Sequence, residues 1–85
     1  MTRLPLTAEH IQISTREERP ATFDWRGETH YIQEINRRWR IDAGWWDPGI
    51  RTCREYWEVV TDTGLLCVIH HDLPEGEWYL SRLYD

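Results

Sequence analysis

The residues best equipped for chemistry lie between Cys67 and Asp72, where a thiol, two imidazoles (His70 and His71) and a carboxylate follow one another closely. A cysteine nucleophile needs an adjacent base, and a third group that orients that base. The surrounding run Leu65-Leu66-Cys67-Val68-Ile69-His70 reads as a strand. On a strand, positions 67 and 71 share a face but stand about 13 Å apart at roughly 3.3 Å per residue. Thiol and imidazole therefore cannot touch, and a small Cys–His enzyme is the weakest reading of the chain. Zinc sites usually carry close ligand pairs such as Cys-x2-Cys or His-x3-His. Here there is one Cys-x2-His and an adjacent His pair pointing to opposite faces, with His10 and His30 remote in sequence. The expectation is surface histidines at a strand end, with no metal, no cofactor and no catalytic residue. Glu55, Glu58, Glu75 and Glu77 are scattered and read as a solvated face. Gly44-Trp45-Trp46-Asp47-Pro48-Gly49 is a turn rather than a phosphate cradle.

One constellation stands above this background. From residue 37 to 54 the chain holds five arginines (Arg37, Arg38, Arg40, Arg51, Arg54) against Asp42 and Asp47, a net +3. Residues 55–85 hold Arg82 against seven acids, a net −6. Trp39, Trp45 and Trp46 sit inside the positive window. Arginines interleaved with aromatic rings can hold a phosphate and stack a base at once. Neighbours on a strand cannot both point inward, so at least one of Trp45 and Trp46 faces the rim or caps a barrel mouth. The competing reading places one Trp in the core, the other over an open barrel end, and the arginines against the acidic half.

Turn signals decide which elements position these groups. Arg26-Gly27-Glu28, Asp42-Ala43-Gly44, Asp47-Pro48-Gly49, Asp62-Thr63-Gly64 and Leu73-Pro74-Glu75-Gly76 can all reverse a chain. Such punctuation, with alternating segments between, is the pattern of an antiparallel meander. Ala21, Phe23 and Trp25 share one face; Tyr56-Trp57-Glu58-Val59-Val60 is a β-branched and aromatic run. His10–Ser14 is a further candidate strand, and Thr15–Arg19 a solvated connection. In the last segment Trp78, Leu80, Arg82 and Tyr84 oppose Tyr79, Ser81 and Leu83, which leaves the inward face ambiguous. Residues 29–41 are ambiguous as well. Ile32, Ile35 and Trp39 fall at helical spacing, whereas the turn at Arg26-Gly27 favours a long strand bulged near Asn36.

The chain has 85 residues, one domain's worth, and residues 1–9 read as a flexible arm. So short a chain needs an economical core, and six Trp, four Tyr and one Phe supply it, each ring burying roughly 150–250 Å². All ten basic side chains are Arg, and the net charge of −5 suits a soluble protein better than a phosphate backbone. No apolar run approaches the ~20 residues of a membrane span, and the N-terminus lacks a signal-peptide stretch. Cys53 and Cys67 then read as reduced, half-buried thiols of a cytoplasmic protein, with a cross-strand disulfide as the alternative.

The order Phe23-x-Trp25-Arg26-Gly27, Trp39, Trp45-Trp46, Arg54-x-Tyr56, Asp62-Thr63-Gly64 and Trp78-x-Leu80-x-Arg82-x-Tyr84-Asp85 resembles a small bacterial domain of unknown function. That domain occurs alone, or at the C-terminus of the inactive Y-family DNA polymerase-like subunit of a DNA-damage mutasome. The resemblance covers roughly residues 10–85 and carries no catalytic residues. It implies a role in DNA-damage tolerance through binding of protein or nucleic acid.

The expected fold is mainly β, a small antiparallel barrel or bent sheet of five to six strands similar to SH3-type barrels, with α+β and a helix at 29–40 as runner-up. The expected function is a non-enzymatic binding or adaptor module acting through Arg37, Arg38, Arg40, Trp45, Trp46, Arg51 and Arg54. Its expected partner is a protein, with weak single-stranded nucleic-acid binding as the alternative and no membrane contact.

Overall fold

The turn residues bend the chain into a meander that closes on itself. The computed structural model describes residues 2–3, 8–43 and 52–84. They form β1 (Thr2–Arg3), β2 (Glu9–Arg16), β3 (Arg19–Trp25), β4 (Glu28–Ala43), β5 (Thr52–Thr61), β6 (Leu66–Asp72) and β7 (Glu77–Tyr84). No helix occurs among the described residues, so none is long and apolar enough to cross a membrane. From β2 to β7 each strand pairs antiparallel with the next. β7 then pairs back onto β2 through Glu9↔Leu80, His10↔Tyr79 and Ile11↔Trp78, closing a six-stranded antiparallel barrel. β1 lies on the far end of β7, through Thr2↔Tyr84 and Arg3↔Leu83. Closure pairs β2 with β7, the terminal strands whose edges are the hazard of a short β chain.

The hairpins follow from local conformation. Arg26 and Gly27 have φ of 50° and 78°, the two left-handed residues of a tight turn whose twist matches its strands. The stretch expected as a solvated connection, Thr15–Arg19, is a hairpin of the same kind: Glu17 and Glu18 take φ of 54° and 65°. At Asp62-Thr63-Gly64 the fully enclosed Thr61 holds the turn, its hydroxyl accepting from the Leu65 N–H at 3.1 Å. The turn at 73–76 closes with the Gly76 N–H donating to the Asp72 carbonyl at 2.7 Å.

The helix considered for 29–40 does not form; the segment lies within the long strand β4. Two register shifts against β5, between Ile32 and Glu34 and between Ile35 and Arg37, leave Gln33 and Asn36 as bulged residues. Each bulge resets the inward phase, so Ile32 and Ile35 both pack on the core although they stand three apart. That spacing is what imitates a helix. In β7 the shift at Ser81 acts likewise: Leu80 is buried, and Trp78 and Leu83 pack against the core.

The core consists of Ile11, Phe23, Trp57, Val59, Cys67, Ile69 and Leu80. Each large member contributes roughly 1.5–3 kcal/mol by leaving water. Among the described residues, Trp25 and Trp78 pack against the core. Trp57 and Phe23 are fully buried, whereas Trp25, Trp39 and Trp78 are half-buried and Tyr31 is exposed. Aliphatic residues from β5 and β6 fill the space instead. Both cysteines are free and buried rather than half-buried. A disulfide between them is excluded by register, because Cys67 stands opposite Val59, about 20 Å along β5 from Cys53.

Candidate aromatic binding face

Antiparallel register brings five rings into one row across the outside of the barrel. Trp39 of β4 stands opposite Tyr56 of β5, Tyr56 opposite His70 of β6, His70 opposite Tyr79 of β7, and Tyr79 opposite His10 of β2. Their neighbours Trp57, Ile69, Leu80 and Ile11 point into the core, so the pleat sends this set outward. Trp39 and Tyr56 stack with centroids 5.4 Å apart and planes 4° from parallel. Tyr56 and Tyr79 flank His70 at 5.1 Å each, and His10 meets Tyr79 edge-on at 5.6 Å. Glu77 pairs with the far side of His10 at 2.5 Å.

A groove of about 340 Å³ runs beside the row. It is lined by Trp39, Tyr56 and Tyr84, by Arg37 and Arg82, and by Ile41, Val68 and Ser81. Arg37 lies over the Trp39 ring at 5.0 Å, and Arg82 reaches the Tyr84 hydroxyl at 3.3 Å. Among the described residues, no acidic side chain lines the groove.

The arginines expected to form one patch are divided by strand alternation. Arg37 and Arg54 share the outer face with Trp39 and Tyr56. Arg38 and Arg40 lie on the opposite face with Cys53, Glu55 and Trp57. Each has an acidic neighbour: Glu58 at 3.7 Å from Arg37, Glu55 at 3.1 Å from Arg38, Asp42 at 3.5 Å from Arg40 and Asp72 at 3.9 Å from Arg54. Three of these acids belong to the acidic half of the chain, the arrangement of the competing reading above. Trp45, Trp46 and Arg51 lie outside the described residues.

Tyr56, His70, Tyr79 and His10 were not expected at the site. The signal was present in the turns: Tyr56 and His70 stand seven residues to either side of Thr63, and His70 and Tyr79 three residues outside the turn at 73–76. His70 also corrects the expectation of surface histidines, being only 4% exposed. Burial, joined by the charges of Arg54 and His71 and opposed by Asp72, pushes its imidazole down to about 4. Its Nδ1 hydrogen-bonds the Ser81 hydroxyl. Burial pushes the Cys67 thiol up to about 12, so it is protonated at neutral pH and offers no nucleophile. Among the described residues no three or more His, Cys, Asp or Glu side chains converge to hold a metal.

A closed six-stranded antiparallel barrel carrying an outer aromatic row defines a small β-barrel domain. A family model matches residues 4–85, and the chain belongs to that family, described as Domain of unknown function (DUF6504). No curated protein and no solved structure matches it.

Proposed function

We propose that this domain is a non-enzymatic binding module that meets a protein partner through the outer aromatic row and groove. The observation that carries the reading is the row itself: Trp39, Tyr56, His70 and Tyr79 in ring-to-ring contact across four strands on the outside of a closed barrel. Trp, Tyr and Arg dominate the energetic centres of protein interfaces, because large rigid rings bury much area at small entropic cost. The groove has that composition, with Ile41 44% exposed at its rim. Pairing of Arg37 and Arg54 with acids, together with a net charge of −5, favours a protein over a phosphate backbone. The core-bound, protonated thiol of Cys67 supports a non-enzymatic reading. The bacterial origin and DNA-damage context implied by the sequence resemblance suggest subunits of the mutasome as first partners to try.

Capture by the immobilised domain of the purified polymerase-like subunit, tested without its own copy of this domain, checks the proposal. Trp39→Ala and Tyr56→Ala are expected to weaken capture roughly tenfold or more while leaving the β circular-dichroism signal in place. Arg26→Ala, at the distant β3–β4 turn, should leave it unchanged. Capture by both aromatic variants equal to that of the unmodified domain refutes the assignment of the surface.

A second reading, weak single-stranded nucleic-acid binding, is favoured by one observation: Arg37 and Arg82 flank three rings in a groove that no acid among the described residues lines. A labelled oligonucleotide titrated at low salt distinguishes the two. Binding that falls steeply as salt rises supports the second reading, and none at low salt ends it.

A further inference from the structure

Trp57 carries a polar group that no described residue satisfies. The residue is 2% exposed, and its ring N–H is buried without a hydrogen-bond partner. Buried donors are nearly always paired, so such an orphan calls for an acceptor. Trp57 also lines a cleft of about 260 Å³ formed by residues of β3, β4 and β5, together with Arg19, Ile35, Asn36, Arg37 and Arg38. The other polar members of this lining are three guanidiniums and one amide, and no carboxylate is among them. The Arg38 guanidinium lies 4.5 Å from the centre of the Trp57 ring and is held there by Glu55 at 3.1 Å. Arg19 forms no ion pair with any described residue. The bulge at Asn36 interrupts the β4–β5 ladder beside the cleft, and bulges recur where a strand must re-aim side chains next to a site.

We propose that this cleft binds a small oxyanion, a phosphate or carboxylate group, taken by the Trp57 N–H and the guanidiniums of Arg38 and Arg19. Both anions offer planar or clustered oxygens that accept from a guanidinium fork and an indole N–H together. The cleft shares Arg37 with the groove beside the aromatic row, but the three proposed donors, Trp57, Arg38 and Arg19, line the cleft and not the groove, so the proposal stands whether or not the row binds a protein.

The test uses the whole chain, labelled with nitrogen-15, and follows the Trp57 indole N–H resonance. Sodium phosphate and, separately, sodium acetate are added to tens of millimolar with ionic strength held by sodium chloride. The expected result is a saturable shift of that one resonance with at least one anion. Saturation by phosphate alone identifies a phosphoryl site, and by acetate alone a carboxylate site. Arg19→Gln and Arg38→Gln should each raise the half-saturating concentration about tenfold, the usual worth of one charge-assisted hydrogen bond. Arg19→Gln changes an exposed side chain, so it keeps the test valid should Arg38→Gln perturb the packing on Trp57. No saturable shift with either anion, or half-saturation unaltered by Arg19→Gln, overturns the proposal.

Discussion

His70 is an imidazole held neutral by its surroundings. Tyr56 and Tyr79 enclose its ring, Ser81 bonds its Nδ1, and Arg54 and His71 oppose a second positive charge while Asp72 favours one. In the unfolded chain the same group titrates near 6.5, whereas in the barrel it titrates at about 4. Between those values the unfolded state binds the extra proton, so the stabilisation is complete above about pH 6.5 and is lost as pH falls towards 4. The loss from this group reaches as much as about 3 kcal/mol. Urea denaturation of the unmodified domain and of His70→Gln at several pH values checks this. The variant is expected to lose less stability between pH 6.5 and 4; parallel profiles would show that other groups govern acid sensitivity.

Among the elements, the two tight hairpins make an instructive pair. The β3–β4 turn places Gly27 at φ 78°, a conformation glycine adopts freely. The β2–β3 turn places Glu17 and Glu18 in the same left-handed region, where a Cβ is crowded. Glu18→Gly is therefore expected to stabilise the domain by about 1 kcal/mol, read as a higher urea midpoint with an unchanged slope. An unchanged or lower midpoint would mean that the turn carries no strain to relieve. The bulges of β4 work in the opposite sense. They break an alternation that would otherwise send Ile35 outward, and they let a strand of sixteen residues curl around a narrow core.

For the whole molecule, closure rests on few pairs. Three residue pairs join β2 to β7 across almost the full length of the chain, and within them Ile11 of β2 and Leu80 of β7 reach the core. Ile11→Ala should cost about 2–5 kcal/mol, a large part of the stability of so small a domain. Thermal unfolding would record it as a lower midpoint, and a loss below 1 kcal/mol would show that the barrel holds without this seam. Because closure joins residues distant in sequence, the loop entropy must be met before the contact stabilises anything. The charge distribution follows the same long-range logic: arginines of β4 meet acids of β5, and Arg54 meets Asp72 of β6.

By itself the sequence determined the strand-and-turn rhythm, since Gly, Pro and Asp at 26–28, 62–64 and 73–76 act through local backbone sterics that need no distant partner. It also determined that residues 29–41 carry apolar groups at threes and fours, but not what that spacing meant. Only pairing with β5 converted it into a bulged strand, because a bulge is a property of two strands in register. The division of Arg37 and Arg54 from Arg38 and Arg40 was likewise decided by alternation along a strand whose phase the bulges had already shifted. The row from Trp39 to His10 was decided last. Its members come from five strands, and residues so far apart in the chain become neighbours only when hydrogen-bond register and barrel closure put them there.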